Sequence, residues 1–452
     1  MQPSNHLTIK PSNLKILIIM DIFSTYGFII SASLVIIISF CFGELSRKTN
    51  IPSVLMLIVL GIVLKFGLDA MGVGELNIRP VLEVLGTVGL IMIVLEAALE
   101  LELKPEKYMP IAKAFTVALI GLLLSIWAAA EILDYFFGDR MTTQQAWLYA
   151  TPLSILSSAI IIPSVTSLTE SKKEFHIYES TFSDILGIMV FYFLTGNIDA
   201  DNHGDGGGFV GFAGTVVLTI ILSLIASYII VLIFQNIKSH TKLFLLIAVL
   251  LLLYAIGKKM HLSSLIIILV FGLLMTNMKL FFKGPLSKYL KLEEAEHIYE
   301  GLHVITMETA FVIRTFFFVV FGLTISLASL ASMEVIGISV LIVASIYLIR
   351  VVLLRIFVGS DILPQLFIAP RGLITVLLFY AIPESVQVES FSPGILLFII
   401  LATGVIMTIA MIQDKKRTGV SLNKALKTPV GYERWKAPTI TEVAEPSKDG
   451  HH

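Results

Sequence analysis

The sequence predicts an all-α polytopic membrane protein of about 13 transmembrane helices, built as two inverted six-helix repeats whose discontinuous fifth and twelfth helices cross. Three observations predict this fold class. Hydrophobic residues make up 56% of the chain and charged residues 14%, whereas soluble domains carry about 25% charged residues. Apolar runs long enough to span a bilayer recur along the whole chain. Two of these runs, at equivalent places in the two halves, contain residues that interrupt a helix.

The apolar runs give the predicted spans in order. Most of them reach the ~20 residues that a straight crossing needs, and the second, eighth and twelfth are shorter. The spans cover residues 26–45, 52–68, 81–101, 112–137, 146–167, 177–196, 209–236, 242–257, 261–280, 306–330, 335–358, 363–383 and 391–412.

A polar, glycine-rich loop at 197–208 separates the two halves and is predicted to be a flexible linker. It lacks the ligand spacing of a calcium-binding loop. The predicted organisation is an N-terminal extracellular segment (1–25), scaffold or dimerisation helices 1–3 (26–111), core helices 4–6 (112–196), a loop with linker helix 7 (197–241), scaffold or dimerisation helices 8–10 (242–334), core helices 11–13 (335–413) and a cytoplasmic tail (414–452).

Lysine and arginine mark one side of the predicted bundle as cytoplasmic, because basic residues concentrate in the short cytoplasmic loops of membrane proteins. An odd number of spans then places the N-terminus outside the cell membrane and the C-terminus in the cytoplasm. The basic residues on this side are Arg47, Lys48, Lys104, Lys107, Lys172, Lys173, Lys238, Lys242, Lys279, Lys283, Lys288, Lys291, Lys415, Lys416 and Arg417.

Composition argues against several classes of protein. The net charge of −1 gives no reason to expect a nucleic-acid partner. The single cysteine, Cys41, excludes a disulfide framework and a cysteine-rich metal site. The histidines show no spacing typical of metal ligands. We therefore expect no cofactor and no enzymatic activity.

The fifth and twelfth spans contain the residues that interrupt a helix. The fifth carries Pro152 and Pro163 on either side of the pair Ser157–Ser158, and the twelfth carries Pro370 and Gly372. Proline removes a backbone donor and glycine loosens the helix, so backbone groups become free at membrane depth. Because the two spans are equivalent in the two halves, their breaks are predicted to cross near the middle of the bilayer.

Asp184 is the residue that most strongly indicates a functional site. It lies in the sixth span, on the order of 10 Å along the helix from its start and so near the middle of the bilayer. A carboxylate in hydrocarbon is costly, so an acid at this depth indicates function by default. Such a group can hold a proton or a metal cation, but not both at once. A structural acid paired with a basic residue remains the alternative.

Three blocks of residues resemble the monovalent cation/proton antiporter family, which includes bacterial sodium/proton antiporters and animal sodium/proton exchangers. Residues 179–184 (Glu-Ser-Thr-Phe-Ser-Asp) are similar to the family's Glu-Ser-Leu-apolar-Asn-Asp. Arg371-Gly372 is similar to its Leu-Arg-Gly segment, and Ile349–Val351 to its Ala-Arg-Val segment. A weaker block, Leu95–Leu101, looks like the Gly-Leu-Glu-Leu of the potassium-efflux and sodium/proton branch.

The resemblance implies a role for each of these charged residues. Asp184 looks like the ion-binding aspartate, and Glu179 looks like a structural acid paired with Arg350, since an unpaired charge in lipid would be far more costly. Arg371 resembles the arginine beside the crossing, where it can neutralise helix-end dipoles. Glu96, deep in the third span, is either a second titrating acid or a side chain that faces a polar crevice.

Two departures from the family's pattern affect the expected ligands. Ser183 stands where the family usually has asparagine, and Ser157 or Ser158 stands where its fifth span usually carries an Asp-Pro pair. The potassium-efflux branch also has a serine pair there. Hydroxyls and freed carbonyls are hard oxygen ligands, suited to Na⁺ or K⁺. We expect Asp184 and these serines to bind the monovalent cation or the proton, with ordinary helix-packing serines as the alternative.

The resemblance implies a secondary active antiporter that exchanges a monovalent cation, preferentially Na⁺, for protons by alternating access. With one acid the exchange is expected to be electroneutral, because an unbalanced charge would couple it to the membrane potential. Its expected partners are monovalent cations, protons, the lipid bilayer and a second copy of the chain in a homodimer. The alternatives are a K⁺/H⁺ antiporter, a gated cation channel, and an intramembrane aspartyl protease that would need Asp184 and Glu96 apposed.

Overall fold

The structure is a computed structural model that describes residues 25–49, 51–71, 79–103, 105–165, 168–203, 208–237, 239, 242–260, 264–282, 290–324, 330 and 332–427. No residue in these ranges lies in a β-strand, so the all-α fold class is confirmed for them. The α-helices are α1 (Thr25–Thr49), α2 (Ser53–Met71), α3 (Arg79–Glu100), α4 (Tyr108–Phe137), α5 (Thr143–Ser154), α6 (Ser158–Ser164), α7 (Glu170–His203), α8 (Gly208–Phe234), α9 (Lys242–Lys259), α10 (Ser264–Thr276), α11 (Met278–Phe281), α12 (Leu292–Thr324), α13 (Met333–Phe357), α14 (Leu373–Tyr380) and α15 (Pro393–Lys427).

Nine stretches of the described chain are long and apolar enough to cross a membrane, judged by length and composition. They correspond to α1, α2, α4, α5 with α6, α7, α8, α12, α13 and α15. The other predicted spans coincide with α3, α9, α10 and α14. A polytopic membrane protein is therefore supported, while thirteen crossings and the inverted repeat stay predictions.

Helix α7 is longer than the predicted sixth span at 177–196. It continues to His203 and so includes the first residues of the segment predicted to be a flexible loop. The sequence has no proline or glycine between residues 197 and 203, so nothing in the backbone forces the helix to end with its apolar residues. The predicted linker therefore begins later than expected.

Two glycines allow α2 and α12 to pack closely. A Cβ atom added to Gly322 of α12 would lie 2.5 Å from the carbonyl oxygen of Ile58 and 2.8 Å from the Cα of Gly61, both on α2. Such distances leave no room for a side chain at either position. Small residues at helix crossings let backbones approach in membranes, where packing rather than the hydrophobic effect drives helix association.

The helix contacts fall into two groups, and α7 belongs to the second. Helix α12 packs against α2 and α3, and α10 packs against α3. Helix α7 packs against α4, α5 and α6, and α13 packs against α4 and α15. Helix α14, which follows the predicted break at Pro370 and Gly372, contacts α3 of the first group and α5 and α7 of the second.

Both predicted helix breaks are present. Helix α5 starts at a capping box formed by Thr142 and Gln145, which fixes where it begins. It ends at Ser154, and α6 starts at Ser158 after a short extended segment. In the predicted twelfth span, residues 368–372 are not helical and α14 follows them. The two non-helical segments are in direct contact, while their crossing at the bilayer midplane stays a prediction.

Candidate ion-binding site

Asp184 lies on α7 and is only 2% exposed. Its Oδ2 accepts a hydrogen bond of 3.4 Å from the backbone N–H of Ser158. Its Oδ1 is buried and has no hydrogen-bond partner among the described residues. None of the ion pairs in the described part of the chain includes Asp184. The carboxyl group is therefore buried without a compensating basic side chain.

The first break donates three consecutive backbone N–H groups, at residues 156–158, to three different partners. The first donates to Ser183 Oγ at 3.0 Å, the second to the carbonyl oxygen of Pro370 at 3.0 Å, and the third to Asp184. Breaking the helix frees these donors, and buried donors must find acceptors. The break thus joins two predicted site residues on α7 to the second break.

Glycine lies at two close contacts of the first break, Gly372 at its contact with the second break and Gly187 at its contact with α7. A Cβ atom on Gly372 would lie 2.5 Å from Ser157 Oγ and 2.8 Å from Ile160 Cδ1. A Cβ atom on Gly187 would collide with the side chain of Ile155. Gly372 was part of a sequence motif, whereas Gly187 was not singled out, since an isolated glycine in a membrane helix carries no signal of its own.

Arg371 is 2% exposed and points its guanidinium at backbone carbonyls. Its Nε donates to the carbonyl oxygen of Leu153 and its Nη1 to that of Ala369, both at 2.9 Å. Leu153 lies in the last turn of α5, where carbonyls have no intrahelical partner. The backbone N–H of Arg371 donates to Thr403 Oγ1 at 3.0 Å. A cation at the end of a helix is a favourable arrangement, and the role of Arg371 as a counter-charge stays a prediction.

Glu179 and Arg350 form a bidentate ion pair. Arg350 Nη1 donates to Glu179 Oε1 at 2.7 Å, and Nη2 donates to Oε2 at 2.9 Å. Both side chains are buried, and Arg350 also donates to the carbonyl oxygen of Gln365 at 3.2 Å. The structure therefore brings together the two residues that the family resemblance pairs.

His176 belongs to the same cluster, and the sequence analysis missed it. Its Nδ1 lies 3.0 Å from Glu179 Oε2, the ring is fully buried, and its Nε2 has no hydrogen-bond partner among the described residues. The spacing of three residues places the two side chains on one face of a helix. The spacing could have identified this contact from the sequence, because a histidine one helical turn before a buried acid can reach its carboxylate.

Glu96 is paired with a basic residue and is absent from the cavity beside Asp184. Arg314 of α12 donates to Glu96 Oε2 at 2.6 Å. The two side chains are 18% and 17% exposed, so the pair is largely removed from solvent. The structure thus separates the second candidate acid from the Asp184 site.

Two small cavities flank the site on opposite sides of α7. One, of about 10 Å³, is lined by apolar side chains of α3, α7, α10 and α14, and Asp184 is the single polar residue among them. The other, of about 30 Å³, is more polar, and its polar lining consists of Ser125, Ser154, Ser183, Glu179, Arg350 and Arg371. These are volumes for about one water and a few waters respectively.

Comparison with known proteins identifies a family and a similar fold for this chain. Residues 29–413 match the family described as sodium/hydrogen exchanger, transmembrane. The fold is similar to that of the sodium proton antiporter MjNhaP1 from Methanocaldococcus jannaschii at pH 8, with a TM-score of 0.62 and 17% identity over 88% of this chain and 99% of that one. An electron-microscopy structure of MjNhaP1 gives a TM-score of 0.60 and 18% identity over 92% and 100%. No curated protein sequence matches the chain.

Proposed function

Since the chain belongs to the sodium/hydrogen exchanger family, we propose that it exchanges a monovalent cation, Na⁺ in preference to K⁺, for protons by alternating access. The observation that carries the proposal is Asp184, a buried carboxyl group with no basic partner among the described residues and one oxygen without a hydrogen bond. A buried acid of this kind needs a proton or a cation to be stable in a low-dielectric interior.

The chemistry follows from one acid serving two ligands in turn. The deprotonated carboxylate binds the cation, and a proton displaces it when the site faces the other side of the membrane. The empty, charged form is costly to move through an apolar environment, so the site crosses only when loaded. One cation per proton leaves the net charge unchanged, and exchange is electroneutral.

The cation ligands are Asp184 together with Ser183, Ser157 and Ser158. This proposal is supported by the contacts of the first break, which hold the serines and the carboxyl group within one hydrogen-bonded cluster. Freed backbone carbonyls at the breaks complete a set of hard oxygen ligands.

Alternating access involves the predicted scaffold and core groups. The apolar cavity at Asp184 lies between α3 and α10 on one side and α7 and α14 on the other. Movement of the second pair against the first opens Asp184 to one face of the membrane and closes it to the other. The Glu179–Arg350 pair and Arg371 hold the moving part together, the first as a structural ion pair and the second as the counter-charge of the breaks.

A K⁺/H⁺ antiporter is the second candidate, and the serine pair at the first break favours it. The cavity at Asp184 contains one carboxyl group among its described residues, so the site has lower charge than one with two acids. Weaker charge discriminates less against the larger and less strongly hydrated cation. A gated cation channel is a third candidate function and is less favoured than the two antiporters.

The same proposal places the protein in the cell membrane as a multi-pass homodimer, with its N-terminus outside and its C-terminus in the cytoplasm. Large apolar side chains are exposed along α1 and α8, as expected of surfaces that face lipid or a second copy. Examples are Ile37 and Phe40 of α1 and Ile225 and Ile229 of α8, each more than half exposed.

The test is exchange by the purified protein in liposomes that carry a pH gradient. Adding Na⁺, K⁺ or Li⁺ should dissipate the gradient, with the lowest half-maximal concentration for Na⁺. Asp184→Asn should abolish exchange. The matched control is Asp134→Asn on α4, whose carboxylate accepts a hydrogen bond from Thr143 at an exposed position, and which should exchange normally.

Each other outcome has a defined meaning. Normal exchange by Asp184→Asn would overturn the assignment of the ion-binding residue. A lower half-maximal concentration for K⁺ would select the K⁺/H⁺ alternative, and unitary currents without coupled proton movement would select the channel.

A further inference from the structure

We infer that the backbone N–H of Ser158 orients the Asp184 carboxylate so that its second oxygen is available to the cation. This inference rests on the proposed function, because it assigns a positioning role at the same site. It concerns one main-chain donor, and it is separate from the Ser158 hydroxyl that was proposed above as a cation ligand.

The Ser158 N–H is available to Asp184 because of its position at the start of a helix. It is the first residue of α6, so its N–H has no acceptor within the helix. The preceding residue, Ser157, makes no side-chain capping hydrogen bond. The acceptor that the N–H finds is Asp184 Oδ2, at 3.4 Å.

This hydrogen bond divides the carboxyl group into a held oxygen and a free one. Oδ2 is engaged by the main chain, whereas Oδ1 is buried and without a partner among the described residues. Holding one oxygen fixes the orientation of the carboxylate, so Oδ1 stays available to a ligand. The break segment is itself anchored by the neighbouring N–H groups, which donate to Ser183 and Pro370.

No other titratable side chain lines the cavity at Asp184 within the described part of the chain. The titratable side chains on elements packed around the site all lie outside that lining. They include Glu96 and Glu100 on α3, Tyr149 on α5, His176, Tyr178, Glu179 and Tyr192 on α7, Tyr380 on α14, Tyr347 and Arg350 on α13, and Arg371 in the second break.

Proline at position 158 removes this donor and keeps the start of α6, although its Cδ takes the place of the amide hydrogen and Asp184 Oδ2 must move to make room. Proline is favoured at the first position of a helix, because the N–H that it lacks has no helical acceptor. The residue before a proline must be extended, and Ser157 already is, with φ −103° and ψ 101°. Ser158→Ala is the matched control, since it removes the hydroxyl and keeps the N–H.

The experiment measures Na⁺-driven exchange in proteoliposomes for Ser158→Pro, Ser158→Ala and Asp184→Asn. Ser158→Pro should raise the KM for Na⁺ about tenfold over Ser158→Ala, the size expected for losing one hydrogen bond to a charged group. Its kcat should equal that of Ser158→Ala. A structural defect would instead lower kcat or the yield of folded protein.

The outcomes separate this inference from the proposed function. Equal KM values for Ser158→Pro and Ser158→Ala, with Asp184→Asn inactive, would overturn the role of the N–H and leave the ion-binding role of Asp184 standing. Active Asp184→Asn would overturn both. Because the proline Cδ also displaces Asp184 Oδ2, the deciding variant has lactic acid in place of the alanine of S158A, which replaces the amide by an ester of nearly the same shape. The same tenfold rise is then expected, and an unchanged KM overturns the inference.

Discussion

Two acids on one helix, Glu179 and Asp184, are both buried and differ in everything that surrounds them. Glu179 receives two hydrogen bonds from Arg350 and lies 3.0 Å from His176. Asp184 receives one long hydrogen bond from a backbone N–H, and its other oxygen has no partner within the part of the chain that the structure describes. The same residue class in the same helix is thus completed by protein in one place and left incomplete in the other.

This difference indicates how to tell a structural charge from a functional one. A charge whose partners are all present gains nothing from a ligand, and removing a partner destabilises the fold. A buried acid without partners is costly in the empty state, so it has a reason to bind. Variants of either acid can test this difference, because we expect replacement of Glu179 or its partner to lower stability and replacement of Asp184 to abolish transport.

The largest expected effect is the complete loss of exchange in Asp184→Asn without loss of stability. The amide is isosteric with the carboxyl group, and no ion pair among the described residues depends on it. Its unfolding midpoint in detergent should equal or exceed that of the unchanged protein. An unfolding midpoint several degrees lower would show that Asp184 is structural, which would remove the contrast with Glu179.

The second-largest effect is expected at the ion-paired acid, Glu179, where a change should lower the stability of the fold. Arg350→Ala leaves Glu179 buried without its main partner, which should lower the free energy of unfolding by about 3–5 kcal/mol. The double variant Glu179→Leu with Arg350→Leu removes both charges and should recover most of that loss. Denaturant unfolding of the single and double variants measures the difference. Additive losses would mean that the two residues do not act as a pair.

A smaller effect is expected at the contact that positions the first break. Gly187→Ala places a methyl group against Ile155, and overpacking of this kind destabilises by about 1–3 kcal/mol. It should also lower the rate of exchange, because the break that contacts Asp184 must shift. Gly196→Ala on the same helix is the control, since nothing lies within 4 Å of a Cβ atom there. Equal behaviour of the two variants would contradict the close contact.

The smallest effect concerns an ion pair outside the spans. The Glu174 side chain accepts a hydrogen bond from Lys107 and raises the pKa of that lysine. Lys107→Ala should lower the free energy of unfolding by less than about 1 kcal/mol at neutral pH, since partly exposed pairs contribute little. Because the folded pKa is raised, the contribution is complete at neutral pH and disappears as the pH rises through that pKa. A loss as large as that of Arg350→Ala would contradict the difference between surface and buried pairs.

Several parts of the site could be predicted from the sequence because they depend on rare residues. An acid in an apolar helix, or proline and glycine within a span, departs from what the bilayer favours, and the departure itself is the signal. This holds for Asp184, for Pro152 and Pro163 around the first break, and for Pro370 and Gly372 in the second. The pairing of Glu179 with Arg350 came from the family resemblance.

Other residues gave no such signal, because their importance depends on what approaches them. Gly187 matters through its contact with Ile155, and the partner of Glu96 is Arg314 on a helix far away in sequence. His176 is buried beside Glu179, and the acid that it contacts is not evident from its position in the sequence alone. Sequence spacing identifies neighbours on one helix, but neighbours on different helices depend on the packing.

The sequence by itself determined that this is a helical membrane protein with two interrupted helices and an acid, Asp184, in the middle of an apolar span, because those features follow from hydropathy and backbone chemistry along the chain. Only the tertiary structure decided which groups complete each charge. It gave Glu179 an arginine and a histidine, and it gave Asp184 one backbone N–H from a broken helix. The reason is physical: a partner within hydrogen-bond reach is set by how separate helices pack, and the order of residues along one of them does not specify that.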